Sequence, residues 1–183
     1  ARERPALVVC PASLVENWRE EAERFLPEFR VETISGSSRR EIWERIADLD
    51  LAVMSYGVLQ RDAARAKAVQ WSAVVLDEAQ HIKNPDTRNA KSAKQLPAGT
   101  RVVLTGTPME NRVRDLWSLF DFLMPGYLGT AADFKKRFGS VIDGGGPGAD
   151  TALSRLRAKI HPFLLRRLKR EVATDLPPRL ERV

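Results

Sequence analysis

The chain has 183 residues, of which 43% are hydrophobic and 30% are charged, and its formal net charge is +6. This composition suits one α/β domain with a sizeable core, and no apolar run approaches the roughly 20 residues that a membrane span requires. The single cysteine, Cys10, excludes an internal disulfide, and with only two histidines a structural zinc site is disfavoured. The basic excess favours a polyanionic partner, with nucleic acid as the first choice.

Short apolar runs alternate with segments of helical periodicity, and this alternation predicts an open, doubly wound parallel sheet flanked by helices. The strands are predicted at residues 7–10, 31–34, 51–54, 73–76 and 101–105. Serine–glutamate pairs at Ser13/Glu16 and Ser38/Glu41 fit capping boxes and predict where the first two helices begin. The fourth strand consists only of apolar residues, which predicts burial on both of its faces.

The last third of the chain lacks strand patterns and is predicted to be helical. A short helix is expected over 130–138, with Thr130 as its cap, and a second over 153–164, broken at Pro162. Between them, residues 139–150 include five glycines and one proline, which predicts a flexible loop. The chain is therefore divided into a sheet-containing lobe at 1–128 and a helical extension with a linker at 129–183.

Two strand ends carry residues suited to phosphate chemistry. Asp77-Glu78-Ala79-Gln80 follows the fourth strand, and Thr105-Gly106-Thr107-Pro108 follows the fifth. The carboxyl ends of parallel strands lie at one edge of a sheet, so the two groups are expected to share a site. A carboxylate for Mg²⁺, a neighbour that orients water and hydroxyls that sense a phosphate together suit nucleotide hydrolysis. The alternatives are a solvated, helix-capping loop for the first group and an ordinary turn for the second.

Three segments of the sequence resemble the Swi/Snf-type family of superfamily-two, DEAD/DEAH-like helicase-related ATPases. They are Leu76–Pro85 (LDEAQHIKNP), Leu104–Asn111 (LTGTPMEN) and Asp115–Leu123 (DLWSLFDFL). In addition, Val8–Trp18 is similar to motif Ia, Met54–Gly57 stands where motif Ib is expected, and Phe163–Pro177 resembles the segment leading out of the first lobe. The resemblance covers nearly the whole chain in the right order, and DEAQHIKN is closer to the bacterial branch.

The resemblance implies a RecA-like lobe with a role for each residue at the strand ends. Asp77 would hold the Mg²⁺ of bound ATP, usually through water, Glu78 would be the general base, and Gln80 would sense the γ-phosphate. The motif III residues that would couple the nucleotide to nucleic-acid binding are Thr105, Gly106 and Thr107.

The residues expected near nucleic acid are Pro11, Ser13, Tyr56, Arg166 and Arg167. Alternatives stay open for several of them: Ser13 as a helix cap only, Tyr56 as a packing residue, and the two arginines as part of a solvated helix face or an interlobe contact. Trp18 is expected to lie in the core.

Two expected parts of such an ATPase are not found in the sequence. The phosphate-binding loop, Gly-x-x-x-x-Gly-Lys-[Ser/Thr], would lie upstream of Ala1, and a second lobe with arginine fingers would follow Val183. The chain alone is therefore expected to be inactive, and loss of the first strand is expected to leave unpaired sheet edges.

The parent protein is expected to be an ATP-dependent translocase on double-stranded DNA that remodels protein–DNA complexes, with DNA-bound proteins such as RNA polymerase as its partners. The bacterial resemblance implies a cytoplasmic, nucleoid-associated location. Two alternatives remain: a non-catalytic DNA- or protein-binding module derived from such a lobe, and a nuclease using Asp77 and Glu78. The nuclease is disfavoured because the further carboxylates of a two-metal centre are missing.

Overall fold

The computed structural model describes residues 5–106, 113–146 and 148–165, and five parallel strands lie within them. They are β1 (Ala6–Cys10), β2 (Val31–Thr33), β3 (Leu51–Ser55), β4 (Trp71–Leu76) and β5 (Ala98–Val103). All pair in parallel, in the order β2–β3–β1–β4–β5. The predicted open parallel α/β sheet is therefore confirmed.

Helices follow the strands and then form the C-terminal part of the described chain. They are α1 (Val15–Phe25), α2 (Arg39–Glu44), α3 (Tyr56–Arg61), α4 (Ala63–Ala68), α5 (Arg88–Lys94), α6 (Val113–Leu123), α7 (Ala131–Phe134), α8 (Ser140–Asp143) and α9 (Ala149–Ile160). Short 3₁₀ turns occur at Ala12–Leu14, Ile46–Asp48, Ala79–Ile82 and His161–Phe163, and a π-helical turn at Lys135–Gly139 joins α7 to α8. In the described ranges, no helix combines the length and apolar character needed to cross a bilayer.

Side chains that alternate along the strands divide the core between the two faces of the sheet. On one face, Val9, Met54 and Leu76 lie in a core covered by α2, α3 and α5. On the other face, Val8 and Val53 pack against α1 and the turn before it. The carboxyl ends of β1, β3 and β4 therefore emerge between helices on both faces, at the edge where the predicted site lies.

The face that α1 covers is open towards β5. Val75 is only half-buried on this face, whereas Val102 and Leu104 are 37% and 40% exposed. The predicted burial of β4 on both faces is therefore wrong for Ala73 and Val75. The reason is that α1 lies over β2 and β3, while β5 is the outer strand of the sheet and pairs only with β4 among the described strands.

A second hydrophobic cluster holds the helical extension together. It contains Trp117 and Phe120 of α6, Phe134 of α7, and Leu156 and Ile160 of α9. The neighbouring α6 residues Leu119 and Phe122 belong instead to the core of the sheet. Helix α6 is thus shared by the sheet and the extension, and the division at residue 128 stays a prediction.

The two predicted capping boxes are wrong. Ser13 lies inside the 3₁₀ turn Ala12–Leu14, so α1 begins later, at Val15, without a side-chain cap. Ser38 already has a turn-like backbone, with φ −72° and ψ −10°, and its hydroxyl makes no capping bond. A serine caps a helix from an extended backbone, and neither position provides one.

The threonine caps behave as that rule requires. Thr87 and Thr130 both have extended backbones, and their hydroxyls accept the backbone N–H of Ala90 and Asp133 at the starts of α5 and α7. Pro162 ends α9 in a 3₁₀ turn, as predicted. The predicted loop at 139–150 is shorter than expected, since α8 runs to Asp143 and α9 begins at Ala149.

Candidate active site

The two carboxylates predicted at the end of β4 lie where the chain turns sharply. The backbone N–H of Asp77 still pairs with the Val9 carbonyl of β1, at 2.8 Å. Glu78 then adopts a left-handed conformation, with φ 48° and ψ 51°, and is the one non-glycine residue with positive φ in the described chain. Such a conformation costs a non-glycine residue free energy, and residues held in it cluster at functional sites.

Three further hydrogen bonds hold Asp77, one from α1, one from α3 and one from the adjacent residue. The Trp18 indole N–H of α1 donates to Oδ2 at 2.9 Å, and the Glu78 backbone N–H donates to Oδ1 at 2.8 Å. The Tyr56 hydroxyl, at the start of α3, donates to the Asp77 carbonyl at 2.8 Å. The carboxylate is thus fixed in one orientation, and each of its oxygens keeps acceptor capacity for a further ligand.

A relay of side chains joins the end of β4 to the end of β5. The Gln80 amide donates from Nε2 to Glu78 Oε2 at 2.7 Å, and Gln80 Oε1 accepts the Thr105 hydroxyl at 3.0 Å. The backbone strengthens the link, because the Ala79 N–H donates to the Leu104 carbonyl at 3.0 Å. The two strand ends are therefore in direct contact, as parallel topology predicted, and the roles of their residues in one site stay predictions.

Tyr56 is an interior residue, only 5% exposed, and its ring stacks on His81 with centroids 4.7 Å apart. Burial, followed by the negative charges of Asp77 and Glu78, raises the pKa of the Tyr56 hydroxyl, so that it stays a proton donor. Of the two interpretations left open by the sequence, this burial favours packing over direct contact with nucleic acid. Cys10 is also buried, and burial with the charge of Asp77 raises its thiol pKa to about 12.

The other predicted positions are distributed along the same edge or lie outside the described residues. Pro11 and Ser13 belong to the turn that follows β1, and Ser13 is exposed there. Gly106 is exposed directly after Thr105. Thr107, Arg166 and Arg167 lie outside the described residues, so their roles stay predictions.

The residues present fit a magnesium ion held largely by phosphate and water. Within the described ranges, no group of three or more histidine, cysteine, aspartate or glutamate side chains could enclose a metal ion. Mg²⁺ commonly uses one or two carboxylates together with substrate phosphates and waters. Asp77, with one donor on each carboxylate oxygen, has the free acceptor positions for such a role.

Trp18 is the site residue that the sequence interpretation missed. Its place in the apolar stripe of α1 predicted a core position, and its ring does pack with the core beneath α1. Its indole N–H nevertheless reaches Asp77, 59 residues later in the chain. Tryptophan differs from the other apolar residues of α1 because its indole N–H needs an acceptor when it is buried. This property is the one signal in the sequence that indicates a polar contact for Trp18.

The whole chain, residues 1–183, matches a family model described as the SNF2-related domain, and the chain therefore belongs to this family. The expected resemblance to Swi/Snf-type ATPases is confirmed at this level. Among solved structures, the chain is similar to a Sulfolobus solfataricus SWI2/SNF2 ATPase core in complex with dsDNA, with 44% identity and a TM-score of 0.85. This match covers 95% of the present chain and 36% of the solved one.

Relatives with named functions occur in both fungi and bacteria. The TATA-binding protein-associated factor MOT1 of Saccharomyces cerevisiae is 38% identical, and the match covers 98% of this chain and 10% of MOT1. The Bacillus subtilis protein YwqA, named as a putative ATP-dependent helicase/translocase, is 37% identical over 97% of this chain and 20% of its own length. The chain thus spans a small part of these relatives, and the bacterial branch stays a prediction.

Proposed function

We propose that this chain is part of the first ATPase lobe of a DNA-dependent ATP hydrolase that translocates on double-stranded DNA. The observation that carries the proposal is the relay from Glu78 through Gln80 to Thr105. It joins an acid–base group to a hydroxyl at the next strand end, and phosphoryl transfer depends on such positioning more than on covalent chemistry. Membership of the SNF2-related family supports the same assignment.

Asp77 is the proposed holder of Mg²⁺, and Glu78 is the proposed general base. When bound, the ion would neutralise charge on the phosphates of ATP. Glu78 accepts a hydrogen bond from Gln80 on Oε2, which leaves Oε1 as the acceptor for a proton from the attacking water. Gln80 donates to a carboxylate here, and the same amide is suited to donate to a γ-phosphate oxygen.

The remaining half of the nucleotide site is proposed to come from a phosphate-binding segment that precedes residue 1 in the full-length protein. The open side of the sheet supports this proposal, because Val102 and Leu104 expose apolar surface beside the carboxylates. An additional strand on β5, followed by a helix over this surface, would bury them. Without the lysine of that segment and the arginines of a second lobe, the chain alone should release phosphate at a negligible rate.

The edge at the carboxyl ends of β1, β2 and β3 is the proposed DNA surface. Ser13 is exposed there, and its neighbour Ala12 lines one of two shallow clefts. That cleft is also lined by Arg61, Ser55 and Glu16, and the second is lined by three arginines and one carboxylate: Arg39, Arg40, Arg65 and Asp62. Guanidinium groups at a shallow surface suit contacts with DNA phosphates, which fix orientation without reading sequence.

The proposed translocase would act by displacing proteins that are bound to DNA. The relative MOT1 is associated, by its name, with a TATA-binding protein. RNA polymerase as the target and the bacterial nucleoid as the location stay predictions.

Replacing Glu78 with glutamine in the full-length protein tests the assignment. The variant keeps the shape of the side chain but lacks the base, so DNA-stimulated phosphate release should fall by about 100-fold or more. DNA binding, measured by fluorescence anisotropy, should be retained. Hydrolysis at the unsubstituted rate would exclude Glu78 as the base. DNA binding by an unsubstituted protein that hydrolyses no ATP would favour the non-catalytic binding module.

A further inference from the structure

The indole of Trp18 combines two environments in one side chain. Its ring packs with the hydrophobic core between α1 and the sheet, together with Val75 and Val53. Its Nε1 lies 2.9 Å from Oδ2 of Asp77, at the polar edge where β4 ends. A buried indole N–H needs one acceptor, and a backbone carbonyl can supply it, as Ala66 and Gly129 do for Trp71 and Trp117.

The contact matters because it completes the fixing of the carboxylate. The Glu78 backbone N–H binds Oδ1 and holds the group near the main chain. That single bond would leave the carboxylate free to tilt. The Trp18 N–H, which belongs to α1, fixes the second oxygen, Oδ2. Two donors on two oxygens define the plane of the group, and hence the directions of its remaining lone pairs.

We propose that Trp18 is a positioning residue that orients Asp77 towards the metal ion of a bound metal–nucleotide complex. The inference rests on the proposed ATPase function and adds a residue to it. Partners that hold a metal ligand in place typically contribute about 10- to 100-fold to metal affinity. The position of the Trp18 indole is set by α1, the helix that begins just after the turn at Ala12–Leu14.

The chain contains a matched control for the indole–carboxylate bond. Trp43 of α2 donates its Nε1–H to Oδ2 of Asp62 at 3.0 Å, and this pair is also partly buried. Replacing either tryptophan with phenylalanine removes the same kind of bond and a similar volume. A general loss of packing would therefore affect both variants, whereas loss of carboxylate positioning would affect only Trp18→Phe.

The test compares W18F and W43F in the full-length protein by two measurements. The first is binding of Mn²⁺ in the presence of a non-hydrolysable ATP analogue, followed by electron paramagnetic resonance. The second is the Mg²⁺ concentration that gives half-maximal ATP hydrolysis. W18F should weaken Mn²⁺ binding and raise the Mg²⁺ requirement by about 10-fold, while W43F stays within about 2-fold of the unsubstituted protein. Unchanged metal binding in W18F, or an equal change in W43F, would overturn the inference.

Two arrangements keep the outcome interpretable. If W18F does not fold, incorporation of β-(3-benzothienyl)alanine at position 18 replaces only the N–H by sulfur, and the same weakening of Mn²⁺ binding is expected. If the unsubstituted protein binds the metal–nucleotide complex but does not hydrolyse ATP, the proposed function is overturned. The comparison of Mn²⁺ binding by W18F and W43F then decides the positioning role by itself. Hydrolysis with a normal metal requirement in W18F would overturn the positioning role alone.

Discussion

The hydroxyl of Thr105 offers the sharpest test of the relay between the two strand ends. Thr105→Val keeps the branched shape and removes the donor that Gln80 Oε1 accepts at 3.0 Å. Gln80 is half-buried, so water can replace part of the lost bond, and the net loss should be about 1 kcal/mol, the value typical of a neutral hydrogen bond. If the bond is needed in the transition state, that loss corresponds to about a 5-fold lower kcat.

The assay is steady-state ATP hydrolysis by the full-length protein with saturating DNA. KM for ATP should stay within about 2-fold, because the relay orients Glu78 rather than binding ATP as a whole. Thr105→Ser is the matched control, since it keeps the hydroxyl and loses only the methyl group. An unchanged kcat in Thr105→Val, or an equal fall in Thr105→Ser, would refute the reasoning.

Two further predictions concern stability. Arg101→Met removes donations from a half-buried guanidinium to the carbonyls of Phe122 and Leu96, at 2.7 and 2.8 Å, and should cost about 3 kcal/mol. This loss of stability should appear as faster hydrogen exchange of the β5 amides in the full-length protein. The control is Arg114→Met, which removes an exposed ion pair with Asp86 and should change the exchange rates little. The Cys10 thiol has a pKa raised to about 12 from 9.0 by burial and then by Asp77, so its contribution to folding is complete below pH 9 and is lost as the pH rises towards 12. Cys10→Ala should therefore flatten part of the alkaline fall in the denaturant midpoint, and an unchanged fall would contradict that assignment.

The sheet could be predicted from sequence because its signals are local. Apolar runs such as Leu7–Cys10 and Leu51–Met54 are short, end at turn residues and alternate with helical periodicity, and all five predicted strands are present. The juxtaposition of the ends of β4 and β5 follows from parallel topology alone, since carboxyl ends of neighbouring strands share an edge. The relay through Gln80 realises that juxtaposition in detail.

Helix starts were less predictable because a cap depends on backbone conformation as well as residue type. Ser13 and Ser38 have the side chains of capping residues, but the chain already turns at both positions. Thr87 and Thr130 have the same chemistry on extended backbone, and both form caps. A pattern of residue types cannot separate the two cases, because the difference arises from how the preceding loop leaves the sheet.

The contacts around Asp77 were not predictable because they join residues that are far apart in sequence. Trp18 and Tyr56 lie 59 and 21 residues away from it. Their immediate neighbours in the sequence predict only a core position for Trp18, and either packing or proximity to nucleic acid for Tyr56. The left-handed backbone of Glu78 is likewise a property of the assembled site, because a glutamate does not favour positive φ on its own.

Helix α6 should couple the unfolding of the sheet core to that of the helical extension. Its side chains enter two hydrophobic cores at once, with Leu119 and Phe122 in the sheet core and Trp117 and Phe120 in the core of the extension. Neither core can be exposed to water without also exposing one side of this helix. The two cores should therefore unfold as one cooperative unit. In native-state hydrogen exchange, the amides of α6 should therefore exchange only in the largest opening that this region undergoes.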